Sequence, residues 1–322
     1  MTALPAGWTT RRPTLDDVPA LLALVHASDV AAVGEPDFTR EEVREALTEP
    51  NTDMSRDCWV ALDPEGTIVG WAYPHNANGG DRDFIEVYTW PERGLPGLRP
   101  LLALLLDRMA ERAAMFGHDT YQVRAGAIPT ETPYIEALTD AGFAFLKQHA
   151  RMQMSLSGVS HTAPEPPAGV TVREVRGDDE DEMRAFHGVI EQAFRDSDHH
   201  STDYETWRKQ LAGEPALSFD EWFVAEVDGR IAGALQSSDG GAESDEGWVK
   251  RLAVLRAYRK RGIGEALLRH AFAVYARKGR ARAGLGVDLA NPTEAARLYL
   301  AVGMTPLYQA NIYQTSVAAR RS

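Results

Sequence analysis

Between Trp248–Leu255, an apolar run at strand spacing, and Gly264–Arg277, where Leu267, Leu268, Ala271, Val274 and Tyr275 recur at helical spacing, the chain reads Arg259-Lys260-Arg261-Gly262-Ile263-Gly264. Two glycines where a strand feeds a helix allow close backbone approach to a ligand, and the first-turn N–H groups of a helix have no partner within it. Such a turn suits phosphate oxygens, and three adjoining cations add charge of the right sign. Gly-x-Gly alone is a weak signal, and its plain alternative is a tight turn with a solvated basic face. The local charge favours an anion: residues 250–282 hold eleven Lys and Arg and a single acid, Glu265, in a chain whose net charge is −13. Further on, Gly286-Val-Asp-Leu-Ala-Asn-Pro reads as a strand running into a helix that carries Tyr299 and ends at Gly303. Asn291 there is an ordinary N-cap with Pro292 at the first helical position, or a ligand to something bound. Tyr299 is a core tyrosine of an amphipathic helix, or a hydroxyl placed to donate a proton.

Taken together, these segments resemble the GNAT (GCN5-related) N-acetyltransferase superfamily, whose acyl-CoA loop has Arg or Gln, two residues, Gly, one residue, then Gly or Ala. Arg259, Gly262 and Gly264 meet that pattern in full. The resemblance implies acetyl-CoA as the acyl donor. It implies that Leu252, Ala253 and Val254 offer backbone groups to pantetheine and that Arg259, Lys260, Arg261, Gly262, Ile263, Gly264 and Glu265 wrap the pyrophosphate. Asn291 then matches the residue that holds the CoA backbone, and Tyr299 the one that protonates the leaving thiolate. Homodimers among relatives make a homodimer an expectation from the resemblance alone.

An attacking amine must lose a proton. Glu246, two residues before Trp248 and so on the same strand face, is the candidate base; Glu243, Asp245 and Glu246 read equally well as a solvated acidic turn. No residue suits a covalent acyl intermediate, because Cys58 lies in the other half and no Ser stands in a nucleophile elbow. Direct attack in a ternary complex is expected. The connection Phe194–Tyr204 is the expected acceptor region, with Asp196, Asp198 and Asp203 available to an ammonium; adjacent His199 and His200 read as loop, and no metal is expected.

The scaffold that must position these residues is written twice, about 162 residues apart. Arg11–Asp17 parallels Arg173–Asp179, the hairpin pattern Trp59–Gly70 parallels Phe223–Gly233, and Ala141-Gly142-Phe143 parallels Val302-Gly303-Met304 at a helix end. The expectation is an α/β protein of two tandem GNAT-like domains, each a mixed, mostly antiparallel sheet flanked by helices. A degenerate, non-catalytic domain is expected over 1–156, a Pro/Gly/Ser-rich linker over 157–169 and the catalytic domain over 170–322. In the first half the counterpart turn, Thr89–Pro100, has Gly94 and Gly97 three apart, and Pro96 and Pro100 lack N–H donors. Thr130 and Leu138 stand where Asn291 and Tyr299 stand in the second half, so structural or substrate-gating duty is expected there. The layout is similar to mycothiol-synthase-like tandem GNAT proteins of actinobacteria.

Composition bounds the rest. At 322 residues, with 44% hydrophobic, 8% aromatic and 25% charged residues, the chain has room for two cores and reads as globular. Its longest apolar run, Leu101–Leu106, is far shorter than a bilayer span, and the N-terminus has no secretory pattern. The lone Cys58 reads as a buried thiol in a reducing compartment, so the cytoplasm is expected. A net charge of −13 disfavours nucleic acid and suits a cationic partner. The expected activity is acetyl transfer to a primary amine of a small molecule, with a non-catalytic acyl-CoA sensor and a protein lysine or N-terminal acetyltransferase as rivals.

Overall fold

The computed structural model describes residues 3–76, 79–195, 201–212, 219–238, 245–289 and 295–320. In chain order its elements are β1 (Thr9–Arg11), α1 (Val18–Val33), α2 (Arg40–Thr48), α3 (Met54–Asp57), β2 (Trp59–Leu62), β3 (Ile68–His75), β4 (Arg82–Thr89), α4 (Leu98–Met115), β5 (Thr120–Ala127), α5 (Thr132–Asp140) and β6 (Ala144–Ser155). There follow β7 (Val170–Glu174), α6 (Glu180–Phe194), α7 (Tyr204–Ala212), β8 (Phe223–Val227), β9 (Arg230–Ser238), β10 (Glu246–Val254), α8 (Ile263–Arg277), β11 (Arg282–Asp288), α9 (Ala295–Ala301) and β12 (Thr305–Ala318).

Local chemistry sets many of the boundaries. Thr39 and Glu42 form a reciprocal capping box at α2, and the Asp179 side chain accepts from the Glu182 N–H at α6. Asp228 and Gly229, with φ of 51° and 72°, form the two-residue turn between β8 and β9, whose left-handed pair matches the twist of the strands.

Two compact units result: unit 1 comprises Met1–His149 with Tyr308–Ser322, and unit 2 comprises Ala150–Leu307. Unit 1 has the strand order β1-β2-β3-β4-β5-β12, and unit 2 the order β6-β11-β10-β9-β8-β7. Within each, one parallel pair, β4 with β5 or β10 with β11, interrupts an antiparallel meander. This corrects the expected boundaries of 1–156, 157–169 and 170–322. Asn311–Ala318 pair with Ala127–Thr120 of β5, so the last strand closes the first sheet, while Ala150 and Met152 of β6 are buried in the core of unit 2. Nor is 157–169 a free linker, since Val159 packs on that core.

Each sheet is covered on both faces. In unit 1, Ile85 and Val87 join Leu101, Leu105 and Met109 of α4, and the other face packs Trp71 and Tyr73 on Leu21, Leu24 and Val25 of α1. In unit 2, Leu267, Leu268 and Ala271 of α8 cover one face, and Phe186 of α6 with Trp207 of α7 the other. Burying each of these leucines contributes about 2 kcal/mol. The central sheets are thereby held firmly enough to aim backbone groups at a ligand. Among the described residues no helix is long and apolar enough to cross a membrane.

Candidate active site

The site begins with an irregularity in β10. Its register against β9 places Val249 opposite Ser237 and Arg251 opposite Gln236, so Lys250 is an extra residue, a β-bulge. The parallel register with β11 runs from Glu246 opposite Arg282 to Val249 opposite Leu285 and stops there, although the strands continue to Val254 and Asp288. The two strands part at the bulge. Beyond it Leu252 and Val254 pack toward α8 while Ala253 is buried toward α6, so alternation holds the side chains and leaves one backbone edge without a strand partner among the described residues. An extended, amide-bearing ligand can bond such an edge as an added strand would.

At the end of β10 the chain makes the phosphate-type turn. Lys260 and Gly262 adopt left-handed φ of 61° and 76°, and α8 starts at Ile263 with no side-chain cap. The first bond of the helix runs from the Ala266 N–H to the Gly262 carbonyl at 3.0 Å, so the N–H groups of Ile263, Gly264 and Glu265 point out of the helix end. Alternating left- and right-handed residues make a concave nest of donors, reinforced by the helix dipole. Gly262 is favoured by its left-handed φ as well as by space, and Gly264 by close packing. A Cβ on Gly262 would lie 2.9 Å from Pro167, and one on Gly264 would lie 3.0 Å from Leu298.

The cations divide their duties. Arg259 donates from Nε to the Val254 carbonyl at 3.1 Å and from Nη2 to the Ala193 carbonyl at 3.0 Å, so its guanidinium braces the turn. Lys260 and Arg261 are exposed and supply the positive field, and Glu265 is paired with Arg269 at 2.8 Å. Tyr299 on α9 is 8% exposed within the unit 2 core, and its hydroxyl has no hydrogen-bond partner among the described residues. Burial pushes the phenol up to about 12, which keeps it protonated across the neutral range.

Glu246 is buried rather than part of a solvated acidic turn. It accepts from Arg151 at 2.6 Å and from Gln153 at 3.0 Å, and Arg151 in turn lies 4.7 Å over the Trp248 ring. A Cβ on Gly284 would lie 2.4 Å from its Oε1, so that glycine makes room for the carboxylate. Glu246 stands three residues before the parting of the strands, about 10 Å along β10. Asp203 accepts from the N–H and hydroxyl of Thr206 at 3.0 and 2.7 Å, which hold its carboxyl below the usual range, so it serves the start of α7. Asn291, Asp196, Asp198, His199, His200 and Glu243 lie outside the described residues.

Two residues escaped the sequence reading. Arg151 is 95 positions from its partner Glu246, and nothing local marks it. His187 of α6 is buried against Trp207, its Nε2 has no hydrogen-bond partner, and burial lowers its pKa. A strand bulge, a strand parting and an uncapped helix start can hold a thiol-terminated cofactor in extended form with its phosphates on the helix.

Residues 218–304, which span both β10 and the turn, match the sequence model of the GNAT acetyltransferase domain. The chain carries a GNAT acetyltransferase domain. A GNAT protein from Sphaerobacter thermophilus is similar over 99% of both chains, with 26% identity and a TM-score of 0.83. A tandem GNAT protein from the clavulanic acid biosynthesis pathway is similar over 98% of this chain and 99% of its own, with 17% identity and a TM-score of 0.69. A glucosamine N-acetyltransferase region of a fungal multi-domain β-N-acetylglucosaminidase is similar over 97% of this chain and 38% of its own, with 13% identity and a TM-score of 0.71. No curated protein matches the sequence.

Unit 1 builds the counterpart turn differently. Its β3–β4 register runs from Gly70 opposite Thr89 to His75 opposite Phe84 with no bulge. Its turn donors are spent internally: Gly94 N–H bonds the Trp90 carbonyl at 2.9 Å, Leu95 that of Glu92 at 3.3 Å and Gly97 that of Gly94 at 2.9 Å. Gly94 is present because a Cβ there would lie 2.3 Å from the Val69 carbonyl oxygen, a packing reason unrelated to phosphate.

Proposed function

We propose that unit 2 transfers acetyl from acetyl-CoA to a primary amine of a small molecule by direct attack in a ternary complex. The observation that carries this is the uncapped α8 start beside the parted β10 and β11. The N–H groups of Ile263–Glu265, with Lys260 and Arg261, would take the pyrophosphate, and the free edge at Leu252–Val254 the pantetheine amides. Asn291 would complete that set.

In the reaction the amine nitrogen bonds to the acyl carbon, the carbon–sulfur bond breaks, and the electron pair leaves on sulfur. Tyr299 donates its proton to that sulfur. A phenol near 12 is always loaded but a reluctant donor, so transfer concerted with bond cleavage is the step it assists. Glu246 receives the amine's proton through water, given the distance along β10. Cys58 supplies no acyl relay: it is buried in unit 1, and burial pushes its thiol up to about 12. A reduced buried thiol also fits the cytoplasm. The net charge of −13 attracts a cationic acceptor, and the fungal neighbour's glucosamine is an amine of this class.

Calorimetric titration with acetyl-CoA, followed by thiol release with small amines and with lysine peptides, tests the reading. One site, lost in Gly264→Glu, and thiol release with small amines are expected. Tight binding without turnover would indicate an acyl-CoA sensor, turnover with peptides alone a protein acetyltransferase, and no binding would overturn the proposal.

A further inference from the structure

Unit 1 keeps one feature of its partner without the phosphate turn. Its β4 and β5 pair from Arg82 opposite Gln122 to Ile85 opposite Ala125 and then part. Around this opening stand carboxylates from three elements: Asp29 on α1, Glu86 on β4 at the first position past the parting, and Glu131 at the head of α5. Thr130 donates to the Ala32 carbonyl at 3.0 Å and so braces the head of α5 against α1. Two of the carboxylates are pinned by backbone, Asp29 accepting from the Asp37 N–H at 3.0 Å and Glu131 from the Ile128 N–H at 2.7 Å. Glu86 makes no hydrogen bond or ion pair among the described residues, and no Lys or Arg pairs with any of the three.

A separate observation points into the same opening. Tyr134 of α5 is 6% exposed, and its hydroxyl is buried with no hydrogen-bond partner among the described residues. That hydroxyl lies in the fields of Glu86 and Glu131, beside the Val87 backbone. The buried phenol is costly to leave unmet, and the half-buried, unpaired Glu86 carboxylate stands in its field. Tyr73 on β3 and Tyr88 on β4 also stand in the field of Glu86. His26, also near Asp29, is engaged with the Phe38 carbonyl at 2.7 Å.

We infer that this opening in unit 1 binds an organic ammonium ion, whose N–H groups bond Glu86 and the Tyr134 hydroxyl while Asp29 and Glu131 complete the anionic field. An ammonium brings only donors, which match three carboxylates and a phenolic oxygen, and its alkyl stem and charge suit tyrosine rings. A bare metal ion fits poorly, because among the described residues no three His, Cys, Asp or Glu are disposed to hold one. Desolvation, with the neighbouring charges of Glu131 and Asp29, pushes Glu86 up to about 8, so a cation arriving near neutral pH displaces its proton. This inference is independent of acetyl transfer by unit 2.

The test is titration of the full chain with n-propylammonium chloride at constant ionic strength, with n-propanol as the neutral probe, read by calorimetry and thermal melting. Saturable binding of the ammonium alone is expected, with proton release seen as a buffer-dependent heat. Glu86→Gln weakens it at least tenfold and Tyr134→Phe about threefold, while Glu65→Gln, an exposed acid of the same unit, leaves it unchanged. Glu86→Gln removes the charge of a half-buried side chain and keeps its shape, so it folds; Tyr134→Phe supplies a second reading. Equal response to propanol overturns the inference. So does wild-type affinity in both variants, which would place the amine elsewhere on the chain.

Discussion

Tyr299 and Glu246 sit in opposite electrostatic settings, and their variants should separate accordingly. Tyr299→Phe removes only the proton donor from a packed helix, so acetyl-CoA affinity should hold while kcat falls about 10- to 100-fold; an unchanged kcat would show that the phenol is core packing. Glu246→Gln leaves one acceptor oxygen where the carboxylate offered two to Arg151 and Gln153, and takes away the charge beside a partly buried guanidinium. Stability should fall by about 1 kcal/mol and kcat by about tenfold or more. A melting shift with an unaltered kcat would confine Glu246 to holding Arg151. Tyr299 was singled out in the sequence by the resemblance of the Gly286–Met304 stretch and the glycine loop to the GNAT pattern, since alone it reads as a core tyrosine of an amphipathic helix. The bonding of Glu246 was not, because a strand sequence carries no mark of which distant arginine will face it.

At the scale of elements, the strand–turn–helix β10–α8 is the unit proposed to bind acetyl-CoA. Gly262→Ala puts a Cβ against Pro167 in a left-handed conformation and should cost about 1 kcal/mol or more in a denaturant melt. Gly264→Glu adds bulk toward Leu298 and a charge at the helix start, and should abolish acetyl-CoA binding in calorimetry while the fold persists. In unit 1 the element that titrates is β4. With Glu86 raised from 4.5 to about 8, the native state holds a proton that the unfolded chain has lost, so its contribution to stability is present at low pH and declines as pH rises from about 4.5 through 8. The difference in melting temperature between wild type and Glu86→Gln should therefore move in favour of the variant from pH 6 to pH 9. A constant difference would show that Glu86 titrates normally. The glycine turn was readable because its donors and cations are contiguous. The bulge at Lys250 and the parting of strands were not, since both are relations between strands.

For the whole molecule, the chain end is a structural part of unit 1. Deleting 308–322 removes the strand that pairs with β5 along Thr120–Ala127, so the melting transition of unit 1 should be lost or fall by many degrees, as circular dichroism would show. An unchanged melt would mean that β5 tolerates an open edge. A fragment spanning 170–322 would lack Ala150 and Met152 of the unit 2 core and the Arg151 that pairs with Glu246, and should fold poorly beside one that begins at 150.

Amino-acid order alone determined the α/β class, the repeated landmarks of the two halves and the basic Gly-x-Gly turn that the first half does not share, because each is written in residues close together along the chain. Only the tertiary structure decided which strand completes which sheet, where the strands part and which charges meet there. Strand partners are chosen by burial and register over long separations, and an apolar alternating strand such as β12 fits more than one edge until the surrounding core is assembled.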